Sequence, residues 1–211
     1  MLNSVKKLQS RGEAPAGSRN TFRKQQHPYI SMEIITTEIE GLLIIKPQVF
    51  EDDRGYFFES FNREKFLQAG IDAVFVQDNE SKSAKDVVRG MHLQSPPFEQ
   101  GKLVRVMRGA VLDVAVDVRK NSPTFGKWAA IELSARNKLM YWIPAGFAHG
   151  FRTLADETVF FYKCTNVYNQ EAEMGFRWND PDINIDWGIS SPVISERDRR
   201  APLFRDFVSP F

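Results

Sequence analysis

The sequence predicts an all-β protein, a β-sandwich or closed barrel with a few short helices. From Met32 onward, short runs rich in β-branched and aromatic residues are separated by turn residues, a pattern typical of sandwiches and barrels. The chain has 211 residues, of which 42% are hydrophobic, enough to bury one good core. The predicted strands are LLIIKPQVF, GYFFESF, AVFVQDN, KLVRVMRG, AVLDVAVDVR, WAAIEL, LMYWIP, HGFRTL and ETVFFYKCTNVY.

The first 31 residues differ in composition from the rest of the chain. They hold six of the 28 basic residues but only one of the 27 acidic residues, and they show no sustained helical period. We expect residues 1–31 to be a basic, disordered extension and residues 32–211 to form one folded domain. A targeting peptide or a tail that binds nucleic acid are the alternatives for this extension.

Two elements of the domain can be predicted in more detail. A short helix is expected at NREKFLQAG, where Asn62 can cap the first turn and Gly70 can end the last. In AVLDVAVDVR, the even-numbered residues from 110 to 118 share one face, which we assign to the core. Asp113 and Asp117 lie on the opposite face beside Val111 and Ala115, so that face can carry polar groups.

Composition also excludes several classes of protein. The single cysteine, Cys164, leaves no internal disulfide and fits a reducing compartment, so we expect a cytoplasmic protein. No apolar run is long enough to cross a bilayer, and we expect no membrane partner. Because the chain after residue 31 is slightly acidic, we do not expect nucleic acid as a partner either.

The stretch VVRGMHLQSPPFEQGKLVRV, residues 87–106, places one of the three histidines in a strand-like run. A lone strand histidine is more often a hydrogen-bonded packing residue than a catalyst. Here Arg89 suits bidentate anion binding, Gly90 permits a close backbone approach, and Lys102 begins the next strand. Two cations beside the titratable imidazole of His92 favour an anionic substrate that undergoes proton transfer.

A second histidine, His149, lies in WIPAGFAHGF, whose Pro-x-Gly-x-x-His spacing resembles the second conserved motif of the cupin jelly rolls. In metal-binding cupins that histidine is a ligand, and the first motif supplies two more as His-x-His. Here the corresponding residues are His92, Leu93 and Gln94, so one imidazole is missing. Because an amide is a poor ligand for zinc or iron, we expect no catalytic metal.

Across about residues 32–202 the chain resembles the dTDP-4-dehydrorhamnose 3,5-epimerase family, cupin-fold enzymes of deoxysugar biosynthesis. The resemblance is carried by FEDDRGYFFESFN, FVQDNESKS, VVRGMHLQ, GKLVRVMRG, DVAVDVRKNSPTFGKW, WIPAGFAHGF, YKCTNVYN, WNDPDINIDW and SERDRRAP. It implies a cupin-type jelly roll, a homodimer, no cofactor, and a dTDP-4-keto-6-deoxy-hexose as the substrate.

The resemblance also implies roles for four catalytic residues. The C4 ketone of the substrate acidifies the protons on C3 and C5, so inversion requires a base on one face of the ring and an acid on the other. His92 corresponds to the base and Asp198 to the carboxylate that orients it. Lys102 corresponds to the cation beside the developing O4 oxyanion, and Tyr162 to the acid. Without the resemblance, Asp198 would be assigned to a solvated turn and Tyr162 to the core as readily as to the site.

A further set of residues resembles those that hold the nucleotide and the diphosphate. An arginine fork matches phosphate oxygens, and aromatic surface suits a stacked base. Because Tyr162, Cys164, Asn166 and Tyr168 share strand parity, we expect them to face the barrel interior together. The predicted substrate-binding residues are Arg54, Phe57, Glu59, Gln77, Asn79, Arg89, His149 and Tyr168.

Three alternatives stay open at this level. A single-site epimerase acting at C3 or at C5 alone would share these motifs and differ in how the ring is seated. A metal-dependent cupin oxygenase would need further ligands. A sugar-binding jelly roll without activity would have no need for His92, Lys102 and Tyr162 together.

Overall fold

The computed structural model describes residues 32–211, and the expectation for residues 1–31 lies outside that range. Every named strand pairs antiparallel with its neighbours, which confirms the predicted all-β architecture. No helix among the described residues is long and apolar enough to span a bilayer.

The first sheet has six strands, in the spatial order β1 (Met32–Thr36), β2 (Leu43–Pro47), β10 (Met140–Ile143), β7 (Lys102–Arg108), β12 (Thr158–Cys164) and β5 (Gln77–Ser83). The second has five, in the order β13 (Glu173–Gly175), β6 (Val88–Gln94), β11 (Phe147–Thr153), β8 (Ala110–Asp117) and β9 (Trp128–Ser134). Strands β3 (Phe50–Asp52) and β4 (Gly55–Phe57) pair only with each other. The helices are α1 (Arg63–Gln68), α2 (Glu196–Arg199) and a 3-10 turn at Phe204–Asp206.

The two large sheets pack face to face around one apolar layer. Val104 and Phe160 of the six-stranded sheet belong to the same buried cluster as Val111, Leu133 and Phe151 of the five-stranded sheet. Such shared burial is the arrangement of a β-sandwich, in which inward side chains of both sheets form the core.

Both faces of AVLDVAVDVR are buried, including the face that carries the polar groups. Asp113 and Asp117 are both fully buried, because the odd-numbered residues of β8 face the other sheet. The outer face is covered as well, since Val114 packs in a second cluster with Phe176 and Trp187 of the C-terminal segment. A carboxylate is buried at low cost only when hydrogen-bond donors contact it. Asp113 has His149 as its partner, and Asp117 has Arg119.

The strand predicted at AVFVQDN is displaced toward the C-terminus. Residues 72–76 are not a strand, and Phe75 instead packs edge-on against Phe61 and Trp142. The actual strand β5 reads QDNESKS, with alternate residues partly buried. Its inward side chains are polar, and Ser81 among them lines a cavity, so the sequence lacks the usual strand signal.

The predicted helix is confirmed at α1. The Asn62 side chain accepts hydrogen bonds from the backbone N–H groups of Glu64 and Lys65, as a cap should. Gly70 has φ of +83°, the left-handed conformation that ends many helices. The buried Phe66 attaches α1 to a cluster on the outer face of the six-stranded sheet.

Candidate active site

His92 and Asp198 form a hydrogen-bonded pair. His92 Nε2 lies 2.7 Å from Asp198 Oδ1, and the carboxylate side chain is 5% exposed against 32% for the imidazole. Asp198 lies in α2, where the Ser195 side chain caps the helix by accepting from the Asp198 backbone N–H. The second carboxylate oxygen accepts from the Gly90 N–H at 3.4 Å. This aspartate is therefore a fixed, buried partner of the imidazole and not a solvated helix end.

Hydrogen bonding keeps this carboxyl group ionised. Burial by itself would raise the pKa of Asp198, but the hydrogen bonds from His92, Gly90 and Ser195 outweigh it, and the pKa lies below its usual value. A carboxylate that stays ionised favours the His92 tautomer with its proton on Nε2, directed at Asp198. The other ring nitrogen, Nδ1, is then the basic one.

Two glycines allow the backbone to place His92 in the sandwich. Gly90 has φ of +127°, and a Cβ added there would lie 2.6 Å from Gly150 Cα on the neighbouring strand β11. The register between β6 and β11 shifts just beyond this contact, with His149 opposite His92. On the other side, a Cβ at Gly175 of β13 would lie 1.9 Å from the Met91 carbonyl oxygen. Close backbone contacts with β11 on one side and β13 on the other therefore hold strand β6, and with it His92, in place.

The residues predicted to be catalytic line one cavity of about 640 Å³ between the two large sheets. His92 enters it from β6 of the five-stranded sheet, whereas Lys102 and Tyr162 enter from β7 and β12 of the six-stranded sheet. Arg89 and His149 also line this cavity. The structure therefore brings together the four residues of the predicted catalytic set: His92, Lys102, Tyr162 and Asp198.

Lys102 carries its ammonium group into this cavity from the inward face of β7. Burial lowers the pKa of Lys102, and the negative charges of Asp113 and Glu173 partly oppose that shift. The thiol of Cys164 adds nothing to this charge near neutral pH, because burial raises its own pKa. Lys102 is thus a buried amine near two acidic side chains, and its ammonium form would strongly stabilise an oxyanion that forms beside it.

Tyr162 is a protonated hydroxyl donor across the whole neutral range. Burial raises the pKa of Tyr162 above its usual value of 10.0. Its ring packs 5.9 Å from that of Phe160, which in turn stacks on Phe151 at 4.2 Å. Aromatic packing on one side therefore supports the ring that carries this hydroxyl.

His149 contacts a different carboxylate from His92. Its Nε2 lies 3.0 Å from both oxygens of Asp113, and His149 is 7% exposed while Asp113 is fully buried. Burial raises the pKa of Asp113, whereas His149 and Lys102 oppose that shift. The sequence analysis did not assign Asp113 to the site. An acidic residue inside an otherwise apolar strand was the feature that could have indicated it.

The predicted nucleotide-binding residues fall into separate groups. Arg89 lines the cavity and donates from Nε and Nη2 to the Ser83 hydroxyl of β5. Gln77 and Asn79 lie on the inward side of β5 and are joined by a side-chain hydrogen bond of 3.1 Å. The parity prediction fails for Asn166 and Tyr168, because β12 ends at Cys164.

Tyr168 lies at the rim, on an irregular segment, with 53% of its surface exposed. Its hydroxyl donates to Glu173 Oε2 at 2.7 Å, and Glu173 also pairs with Arg197, which lines the cavity. Neither Glu173 nor Arg197 was predicted from the sequence. Glu173 lies outside the stretches that carry the family resemblance, whereas Arg197 lies in SERDRRAP, from which only Asp198 was assigned a role.

Six of the predicted substrate-binding residues do not line this cavity: Arg54, Phe57, Glu59, Gln77, Asn79 and Tyr168. Arg54 is 90% exposed and pairs with Asp52 in the β3–β4 turn, while Phe57 is 70% exposed. Phe58 lies under the Arg105 guanidinium at 5.4 Å, and alternation along β7 puts Arg105 on the face opposite to Lys102. The β3–β4 hairpin is therefore at the outer face of the six-stranded sheet.

Within residues 32–211, no group of three or more His, Cys, Asp and Glu side chains is placed to hold a metal ion. Both histidines of the cavity bind carboxylates instead, and Gln94 bonds backbone groups. The absence of a catalytic metal stays a prediction.

Comparison with known proteins gives one consistent family. The family model described as dTDP-4-dehydrorhamnose 3,5-epimerase matches residues 36–206. The epimerase of that name from Shigella flexneri is 53% identical over 176 residues, which cover 83% of this chain and 97% of that protein. A counterpart from Methanothermobacter thermautotrophicus is 51% identical over 168 residues, covering 78% of this chain and 90% of its own.

Solved structures agree with this assignment. The Legionella pneumophila dTDP-6-deoxy-D-glucose-3,5-epimerase, in complex with dTDP-4-keto-L-rhamnose, superposes with a TM-score of 0.81 at 47% identity, covering 84% of this chain and 95% of that one. A 3'-monoepimerase from Streptomyces bikiniensis in complex with dTDP-quinovose gives 0.76 at 36% identity, covering 79% and 85%. The greater identity is to the relative named for inversion at both carbons.

Proposed function

The chain belongs to the dTDP-4-dehydrorhamnose 3,5-epimerase family, and we propose that it inverts C3 and C5 of dTDP-4-dehydro-6-deoxy-D-glucose. The product is dTDP-4-dehydro-L-rhamnose. The protein is an isomerase with a cupin-type jelly-roll fold. Inversion at each carbon removes a proton from one face of the ring and returns one to the other, so the reaction needs a base, an acid and a stabilised enolate.

One observation carries the mechanism: the His92–Asp198 pair and Tyr162 line the same cavity from opposite sheets. A sugar ring held between the sheets presents one face to each. His92, with Asp198 fixing its tautomer, is the base that removes the C3 or C5 proton. Tyr162, whose pKa is raised by burial, donates a proton from the other side and is reprotonated by solvent.

Lys102 stabilises the intermediate. Removal of a proton next to the C4 ketone places negative charge on O4, and a desolvated ammonium interacts with that charge more strongly than a solvated one. Its position on β7, adjacent to the strand of Tyr162, puts acid and cation on one wall of the cavity. Base and oxyanion stabiliser therefore act from different sheets.

The remaining predicted residues hold the nucleotide end of the substrate. Arg89 offers its guanidinium to a phosphoryl oxygen. Gln77 is hydrogen-bonded to Asn79 and to the Tyr168 backbone, and Tyr168 is connected through Glu173 to the cavity lining, so we place the nucleoside along these three residues. His149, held by Asp113, contacts the sugar beside His92.

We place Arg54, Phe57 and Glu59 in the cavity of a second copy of the chain, so that the enzyme acts as a homodimer. The support is geometric: the hairpin that carries Arg54 and Phe57 exposes both residues and does not line its own cavity. Exposed aromatic and cationic groups suit a nucleotide bound across a subunit boundary. A cytoplasmic location is supported by the lone cysteine and by a nucleotide-sugar substrate.

Proton NMR of dTDP-4-keto-6-deoxyglucose incubated with the protein in deuterium oxide tests this function. We expect deuterium at both C3 and C5, together with appearance of the L-rhamno product. Deuterium at one carbon alone would identify a single-site epimerase, and no exchange at either carbon would overturn the assignment. Heat-inactivated protein is the control for spontaneous exchange.

A further inference from the structure

The buried amide of Gln94 makes a full set of hydrogen bonds two residues after His92. Gln94 is 4% exposed. Its Nε2 donates to the carbonyl oxygens of Phe98 at 2.6 Å and Val167 at 3.1 Å, and its Oε1 accepts from the Asn169 N–H at 2.9 Å. Buried polar groups with complete partners hold the segments they join in one arrangement.

Two of these bonds flank Tyr168. Gln94 donates to the carbonyl oxygen of Val167, which precedes Tyr168, and accepts from the N–H of Asn169, which follows it. Gln77 Oε1 accepts from the N–H of Tyr168 itself at 2.8 Å. This segment follows the end of β12 and has no strand ladder of its own. Two glutamine side chains therefore supply the backbone partners that a neighbouring strand would otherwise provide.

The side chain of Tyr168 is exposed although its backbone is fixed. Its ring is 53% exposed, and its hydroxyl is held by Glu173. Through Glu173 and Arg197 this ring is connected to the lining of the catalytic cavity. A flat aromatic surface that is held at both ends and open to solvent suits stacking with a nucleobase, because little freedom remains to be lost on binding.

We propose that Gln94 is a positioning residue for substrate binding, which holds Tyr168 where its ring stacks on the nucleobase of the dTDP-sugar. This inference rests on the proposed function and deepens it. It also explains why an amide stands where metal-binding cupins have an imidazole: the side chain bonds backbone groups of the pocket wall instead of a metal.

A double-mutant cycle between Gln94 and Tyr168 tests the proposal. Gln94→Met keeps the approximate shape and removes all three hydrogen bonds, and Tyr168→Ala removes the ring. Each change should weaken dTDP binding in calorimetry, and raise KM for the dTDP-sugar, by about tenfold, the effect of losing one stacked base. In Gln94→Met the kcat should stay within about twofold of wild type, because the amide hydrogen-bonds backbone groups of this segment and none of the proton-transfer residues. The double variant should bind no more weakly than Tyr168→Ala, since Gln94 acts only through that ring.

Gln100→Met is the matched control, because the Gln100 amide donates to the Asn166 carbonyl in the same segment but does not flank Tyr168. It should leave KM unchanged. Gln94→Glu, which retains an acceptor for Asn169, repeats the test with a second side chain.

Additive losses in the double variant, a fall in kcat with KM unchanged, or an equal effect of Gln100→Met would overturn the proposal. Loss of the folded state in both Gln94 variants would also overturn it, by showing that the amide holds the fold rather than one ring. If the wild-type protein binds dTDP but does not turn over the sugar, the proposed function fails, whereas the calorimetric cycle still decides the role of Gln94.

Discussion

His92 and His149 are cross-strand neighbours, yet their imidazoles contact different carboxylates, Asp198 and Asp113. The sequence predicted the first pair, because both residues lie in stretches that resemble a known family. It did not predict the second, since strand alternation placed Asp113 on the face opposite to the one assigned to the core. Alternation identifies the side of a strand but not what covers that side, and here the other sheet covers it, so that Asp113 meets His149 in the interior.

At the same scale, replacement of His92 and Tyr162 separates the two proton-transfer roles. His92→Ala should abolish both epimerisation and deuterium wash-in, since no enolate forms without a base. Tyr162→Phe removes only a hydroxyl, so His92 can still take a proton and return a solvent-derived one to the same face. Wash-in should persist while inversion falls by at least about 100-fold. Both rates can be read from one NMR time course.

A wild-type rate of inversion in Tyr162→Phe would contradict the acid role and direct attention to a water molecule. The melting temperatures of Tyr162→Phe and wild type provide the control. If Tyr162 only packed in the core, its replacement would lower activity only by lowering stability.

Lys102 should set the alkaline limit of activity. Burial places the pKa of Lys102 below its usual 10.5 and that of Tyr162 above its usual 10.0. The downward shift moves the loss of charge from Lys102 toward neutral pH, whereas the upward shift moves the ionisation of Tyr162 away from it, so we expect the lysine to set the limit. We expect kcat of the wild-type protein to fall at alkaline pH, as Lys102 loses its charge. Lys102→Arg, whose charge persists above pH ~12, should keep some activity and should not show that fall. The rate of deuterium wash-in, measured as a function of pH for both proteins, tests this expectation. If the rate for Lys102→Arg falls at the same alkaline pH as that of wild type, a group other than Lys102 causes the fall.

At the scale of elements, strand β5 shows why part of the fold escaped sequence reasoning. Its residues QDNESKS contain no apolar side chain, yet the strand closes one edge of the six-stranded sheet and faces the cavity. Hydrophobic periodicity finds strands that face a core, and this strand faces a ligand site. The apolar run just before it, which did look like a strand, covers the outer face through Phe75.

Close packing between β6 and β11 should make Gly90 intolerant of any side chain. Gly90 and Gly55 have nearly the same φ, +127° and +126°, but a methyl group at Gly90 would meet backbone atoms within 3 Å, Gly150 Cα at 2.6 Å and His149 O at 2.9 Å, whereas one at Gly55 would meet open space. Both alanine substitutions strain the backbone, so their difference isolates the effect of packing. Gly90→Ala should lose about 1–3 kcal/mol more stability than Gly55→Ala in urea unfolding, with loss of activity.

Equal effects of the two substitutions would mean that strain, not close approach, determines the role of Gly90. The activity loss is expected because the Gly90 N–H donates to Asp198, so any shift of this backbone moves the partner of the base.

At the scale of the whole molecule, the sandwich could be predicted because most of its strands carry an apolar signal and clear turns. The C-terminal covering layer could not, since its residues include Trp178, Ile183 and Trp187 in a stretch rich in Asp, Asn and Pro, without strand periodicity. Such a segment folds only against a surface that already exists, and here that surface is the outer face of the five-stranded sheet.

We propose that residues 1–31 are dispensable for folding and catalysis. They lack a core-forming pattern in the sequence, and the matched family region begins at residue 36. A chain that starts at Met32 should therefore keep its melting temperature and its turnover. A large drop in either would show that the extension contributes contacts to the domain.

Mixed dimers test whether the hairpin of one subunit serves the cavity of its partner. His92→Ala leaves the hairpin intact and Arg54→Ala leaves the base intact, so each variant should be severely impaired as a homodimer. In a mixed dimer, the subunit with His92 would receive Arg54 from its partner and regain one complete site. Random reassociation of equal amounts forms mixed dimers in about half of the population, with one competent site in two, so turnover should recover to about a quarter of wild type. If Arg54 acted within its own chain, each cavity would still lack one group and mixing would restore nothing.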